Sequence, residues 1–368
     1  MKADFSTVVA ALLALFMLIG IFDRLRGNRW HLGGKIDEAF AAFPQLFVIM
    51  GGILALTPLL QTLLASSLQK FCAWCGCAPE LFPGMVLAND MGAYHLALSF
   101  NGDGKMAELG GMLTGSVIGV NLISNIPMAV SMTAESDHPE VIRGILWGLA
   151  GAVPGVFAGG LCAGNSWIEL LLNLIPVTLF VVVVALLILT CPAKTVKFFL
   201  FFGKAVGAVA LIALGTLIAL ELTGIGGGKL RLMPLSEVFA IIGMIVAALP
   251  GAYVAAELFA RVMQKALQKC ADKSGLNTPA LSGMIISLAN ILPVFAMTGK
   301  MNRKGKCVAY AFAAGGAFAL GDHLAFCTVT APQAVMPMLV TKITAAVTGA
   351  VLAWFFAGVP AGDNDGKE

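Results

Sequence analysis

Charge is what this sequence lacks. Of its 368 residues, 12% are Asp, Glu, Lys or Arg and 59% are hydrophobic, whereas a soluble domain carries about 25% charged residues. With a mean hydropathy of +0.91, that shortage excludes an ordinary soluble domain. There is also no GxxxxGK[ST] loop, so ATP is not the direct energy source for whatever the chain does. The one tight cysteine cluster, "CAWCGC" (Cys72, Cys75, Cys77), has neither a second CxxC nor a nearby histidine, so a metal site is not supported. The other five cysteines are scattered and read as small hydrophobes. Phe5 to Phe22 lacks the small-residue cleavage pattern of a signal peptide and reads as a retained first helix. The net charge of +3 sits in loops, where it speaks to topology and not to nucleic acid.

What is present in quantity is uncharged sequence. Runs at 41–69, 109–134, 144–168, 170–193 and 274–299 carry no charge, and a helix needs about 20 such residues to cross the hydrocarbon core. The fold class is therefore an all-α polytopic membrane protein. Eleven apolar segments are expected: 5–22, 41–65, 81–100, 107–133, 142–163, 168–191, 198–221, 236–260, 279–298, 307–331 and 334–358.

The second half echoes the first. "EAFAAFPQLFVIMGGILAL" (38–56) resembles "EVFAIIGMIVAALPGAYVA" (237–255), "PGMVLANDMG" (83–92) lies against "SGMIISLANILP" (282–293), and Arg143 falls opposite Lys342. Similarity at a fixed long offset marks a transporter built from two homologous halves. The expected division is a first repeat at 1–165, a linker helix at 166–195, a second repeat at 196–358 and a polar tail at 359–368.

Basic residues collect on the cytoplasmic side. If all eleven segments cross, the 23 Lys and Arg split 12 inside to 11 outside, which is no bias. If 81–100 and 279–298 dip in and return on the same side, the split becomes 17 to 6. That arrangement makes the repeats inverted and the two segments re-entrant or broken. Each has a polar, turn-prone middle (Asn89-Asp90-Met91-Gly92 and Asn290-Ile291-Leu292-Pro293). Non-helical backbone at membrane depth is tolerated only against protein or a water-filled cavity, so two such tips are expected to meet around one.

Acids inside a membrane default to a functional reading. Asp90 reads either as a ligand for a cation or as a cap of its own turn, as Asp does in loops. Asp322 and His323, beside Gly321, form a second pair, either a site or a mutually satisfied structural contact. Gly321 and Gly92 permit backbone opening, and His323 is a candidate to orient the carboxylate or carry a proton. Asn121, Asn125 and Asn290 read as ligands or as interhelical glue. Pro127 and Pro293 break local hydrogen bonding. Tyr94, four residues past Asp90, is a candidate ring face for a cation. Together with Asn89, these residues describe a site that wants a small organic ammonium, Na⁺ or H⁺.

"LANDMGAYHLA", "SLANILPVFAMTGKMNRKGK" and "AFALGDHLAF" resemble the ethanolamine-utilisation transport proteins, the EutH family, over roughly Phe40 to Trp354. The resemblance implies a bacterial inner-membrane permease, not an enzyme, that takes ethanolamine into the cytoplasm for breakdown. The family motifs fall on Asn89, Asp90, Met91 and Gly92, then on Asn290, Pro293, Gly321, Asp322 and His323. Implied partners are ethanolamine and the lipid bilayer, without cofactor or nucleic acid. Coupling to H⁺ or Na⁺ and a homo-oligomeric state stay open. The alternatives are a cation-coupled transporter or a channel-like facilitator for another small solute. An intramembrane aspartyl protease would use two such acids, but the "ALGD" here departs from the GxGD of those enzymes.

Overall fold

In lipid a chain must satisfy its own backbone N–H and C=O groups, and long runs of Leu, Val, Phe and Ala do so as helices. The computed structural model describes residues 4–101, 104–224 and 231–356. The expected polar tail at 359–368 lies outside the described residues. Every regular element among them is helical: α1 (Phe5–Leu25), α2 (Gly33–Ala41), α3 (Phe43–Cys75), α4 (Leu81–Val86), α5 (Ala93–Asn101), α6 (Gly104–Ala107), α7 (Ile126–Met132), α8 (His138–Cys162), α9 (Trp167–Thr190), α10 (Pro192–Thr223), α11 (Leu235–Ser274), α12 (Thr278–Ser287), α13 (Leu292–Met297), α14 (Arg303–Gly316), α15 (Asp322–Thr330) and α16 (Val335–Phe356).

Eight helical stretches among the described residues are long and apolar enough to cross a membrane. They include Gly104–Met132, the most buried of the eight, in which α6 and α7 are joined by wide π turns over Glu108–Gly119 and Asn121–Asn125. Residues 81–101 and 278–297 do not form such stretches; each is two short helices with a break between them.

The first broken segment doubles back. Gly110 packs on Glu80 and Leu81, and Gly119 packs on Gly84 and Leu87, so α4 climbs along the Gly104–Met132 helix. Past the break, Gly111 packs on Tyr94 and Ala97, so α5 descends along the same helix. Small residues let the backbones approach this closely; a Cβ at Gly84 would lie 1.9 Å from Gly110 O. The second broken segment is closed at its base. Asn277 Nδ2 donates to Lys300 O at 2.8 Å, and Asn302 Nδ2 donates to Gly275 O at 3.0 Å.

The helices aligned by the sequence repeat run antiparallel where they meet. Phe47 stacks on Phe239 at 4.7 Å, Gly51 meets Val238 and Ile242, and Met233 N donates to Ala55 O at 3.0 Å, so α3 and α11 run in opposite senses. Gly151, Gly155 and Gly159 of α8 meet Gly349, Ala345 and Thr341 of α16 in descending order. Across the centre, Glu108 meets Gln333, Asn121 meets Ala314, and Asp137 meets Lys306.

Candidate functional site

Two breaks create the site. In the first hairpin α4 ends at Val86, a single 3₁₀ turn carries Asn89–Met91, and Gly92 takes φ +99° before α5 begins. Only glycine adopts that conformation without penalty. In the second half α14 stops at Gly316, and the chain is unwound until Asp322 starts α15. The turn of the second broken segment supplies partners that this unwound backbone needs when buried. Phe318 N donates to Ser287 O at 3.0 Å, and Leu320 N donates to Leu288 O at 2.8 Å. Phe318 itself has φ +64°, a left-handed conformation that costs a bulky residue of order 1–3 kcal/mol. Its ring lies 5.3 Å from that of His323.

Between the breaks is a cavity of about 290 Å³. Asp90 enters it from the first tip, Asn290 from the second, and Asp322, His323 and Phe318 from the unwound join. Tyr253 of α11 and Ser124 of the π-helical stretch also line it. His323 Nε2 is 3.7 Å from Asp90 Oδ1, ion-pair range but long for a hydrogen bond. The Tyr253 hydroxyl donates to Asp322 Oδ1 at 2.8 Å. Two largely buried carboxylates therefore share one space, and no Lys or Arg among the described residues lines it. Burying such charge is costly unless a counter-charge is near, and carboxylate, amide and hydroxyl oxygens in this arrangement are the donor atoms that a small cation can use.

The cavity reaches exposed residues at one end. Glu38 and Gln45 lie on its rim, and a smaller cavity lined by Lys35, Glu257 and Pro293 shares Glu38, Tyr253 and Asn290 with it. Lys35 bridges Glu38 at 2.7 Å and Glu257 at 3.9 Å. Beyond the acids the other end is packed shut. Tyr94 and His95 set their rings edge-on to Phe326, at 6.4 and 5.9 Å, and Gln333 Nε2 donates to Glu108 at 2.5 Å.

Of the residues expected to form a site, Asp90, Asn290, Asp322 and His323 are brought together. Asn290 Oδ1 also accepts from Leu292 N at 2.9 Å in the turn ahead of α13, and Pro293 sits in that helix's first turn. Gly321 is the residue before α15, with its backbone pressed on Ala289 O. The structure places the remaining residues elsewhere. Asn89 is fully buried behind the tip, its amide 3.5 Å from Met112 Sδ. Asn121 donates to Val117 O and Ala314 O and accepts from Asn125, so these amides tie helices together. Pro127 opens α7 directly after the π turns. Tyr94 is buried in the closed end and does not line the cavity. Sequence reasoning missed Tyr253, Ser124 and Phe318; nothing in the apolar runs around them distinguishes them from packing residues.

Comparison with known proteins bears on this arrangement. The family described as ethanolamine utilisation protein, EutH, matches residues 5–356. A probable ethanolamine permease EutH of Listeria monocytogenes is 33% identical over 98% of this chain and 96% of its own. The probable ethanolamine permease EutH of Salmonella typhimurium is 31% identical over 93% of each chain. An uncharacterised protein YxeR of Bacillus subtilis is 33% identical over 94% of this chain and 93% of its own. No solved structure matches. On the family match and these relatives, the chain belongs to the EutH family of ethanolamine utilisation proteins.

Proposed function

We propose that the chain is a permease of the bacterial cytoplasmic membrane that carries ethanolamine, as its ammonium ion, into the cell. The observation that carries this reading is the convergence of Asp90 and Asp322 on one cavity of about 290 Å³. Ethanolamine is mostly protonated at neutral pH, so a carrier has to replace the hydration of an ammonium group. The two carboxylates offset that loss. Asn290, Ser124 and the Tyr253 hydroxyl are placed to bind the alcohol end. Relatives named as probable ethanolamine permeases support the substrate.

In this reading the halves are inverted repeats, and 81–100 and 279–298 are re-entrant hairpins whose tips meet at the site. The antiparallel packing of α3 on α11 and of α8 on α16 supports the inversion. The tied base of the second hairpin supports re-entry. The basic end that holds Arg24, Lys35, Arg261, Arg303 and Lys306 faces the cytoplasm. Ion pairs hold Lys35 and Arg261 together on Glu257 near the exposed lining residue Glu38, and hold Arg303 and Lys306 on the start of α8 and the turn before it. The conformation is then inward-facing, with the Tyr94–Phe326 contact and the Glu108–Gln333 bond as the outer seal.

Uptake of labelled ethanolamine into proteoliposomes tests the reading. Low substrate concentration and acidic pH keep passive entry of the neutral amine small. Saturable uptake above that of empty liposomes is expected; uptake equal to theirs would reject the function.

A further inference from the structure

Lys342 of α16 is the buried charge that the cavity leaves unexplained. It is 0% exposed, and its Nζ donates to Ser116 O at 2.7 Å. Ser116 follows Gly115, which packs against the backbone of Asn89. The ammonium therefore lies in the layer that backs the Asn89–Asp90 turn, one residue along the π-helical stretch from the glycine that touches Asn89. It makes no contact ion pair among the described residues, so it is not spent on one neighbour.

The other acids on elements packed against α16 are already engaged. Glu108 takes the Gln333 amide, and Glu140 pairs with Arg303. Asp23 accepts the N–H groups of Trp30, Leu32 and Gly33. Glu38, which also lines the cavity, is paired with Lys35, so the cavity charges left for Lys342 to answer are those of Asp90 and Asp322. With both acids ionised and Lys342 protonated, Asp90 and Asp322 carry two negative charges and Lys342 returns one positive. One net negative charge remains, which matches one monovalent ammonium. A site with two acids and no lysine would bind its substrate together with a second cation.

We infer that Lys342 is a built-in counter-cation, standing in for a co-bound metal ion, so that one ethanolamine fills the site without Na⁺. This rests on the ethanolamine reading and deepens it by settling what else the site must take up. Lys342 is a positioning charge and does not touch substrate. The role explains why an ammonium is kept in the interior of a helix bundle, where ionisable groups are expensive and default to function.

The test is equilibrium binding of ethanolamine to the purified full-length protein in NaCl and in CsCl at equal ionic strength. The wild type should bind equally in both, within about twofold, because screening is then the same. In Lys342→Met the second acid must recruit a small ion, so affinity should be about tenfold or more higher in NaCl than in CsCl. Lys342→Arg keeps the charge and should stay indifferent to Na⁺. A wild type that requires Na⁺, or a Lys342→Met variant that binds like wild type in both salts, would overturn the inference. Should the methionine variant not fold, the wild-type comparison decides alone. Absence of ethanolamine binding by wild type in either salt would instead sink the function itself.

Discussion

Replacing Asp322 by asparagine removes one negative charge from the cavity and little else. The side chain keeps its size and an oxygen to accept the Tyr253 hydroxyl, now 2.8 Å from Oδ1. It also keeps its place in the first turn of α15. If the carboxylate holds an ammonium, the loss is that of a charge-assisted hydrogen bond, about 1.5–3 kcal/mol. At 1.4 kcal/mol per tenfold, KM for ethanolamine should rise by about 10- to 150-fold. Tyr253→Phe does the converse, keeping the charge and removing a neutral donor, and should cost about 0.5–1.5 kcal/mol, tenfold or so at most. Initial rates of labelled uptake at low concentration and acidic pH measure both. A purely structural Asp322 predicts the opposite ranking, since asparagine preserves the hydrogen bond that phenylalanine breaks. Wild-type uptake by Asp322→Asn, or a larger defect in Tyr253→Phe, would refute the cation site.

Four further outcomes follow from the same geometry. Asp90→Asn should also raise KM, by about tenfold or more, and an unchanged KM in uptake assays would reduce Asp90 to a cap of its own turn. Single cysteines at Thr278 and Lys300, in a cysteine-free background, should react with an impermeant maleimide from the same face; reaction from opposite faces would reject the re-entrant second hairpin. Retained singly, Cys162 and Cys191, both exposed, flank α9 and should label from opposite faces. Gly151→Ala would place its Cβ 2.6 Å from Ala345 O. That backbone contact should cost about 1–3 kcal/mol, seen as a lower Tm in detergent with KM unchanged in the folded protein; an unchanged Tm would contradict the tight α8–α16 seam.

The long apolar runs made the helical fold legible, because periodicity and missing charge bear directly on how backbone groups are satisfied in lipid. The turns of the two broken segments were legible too, from turn-prone residues at 89–92 and 290–293. The unwound join at 317–321 instead fell inside a single expected segment, 307–331, with Gly321 beside Asp322 as its one signal. Tyr94 shows where this stops. Its place in the cavity was expected from a spacing of four beyond Asp90, which holds only in a continuous helix. Gly92 at φ +99° interrupts the helix between them and turns Tyr94 toward Phe326. The asparagines show a second limit. Asn121 and Asn125 do share a face, but the π turns around them direct the amides to each other and to Ala314. Turn widening of this kind has no simple residue signature. Lys342 carried a signal that was visible, a lone cation inside the last apolar segment, yet it stood out only as the counterpart of Arg143. Its burial comes from the packing of α16 on elements distant in sequence, α8, α14 and the π-helical stretch among them, which no local pattern describes.

The most direct measurement is calorimetric titration of ethanolamine into purified wild type and into the Asp90→Asn, Asp322→Asn double variant. The cation site predicts saturable binding by the wild type and loss of that binding in a folded double variant. Equal binding by the two proteins would contradict it.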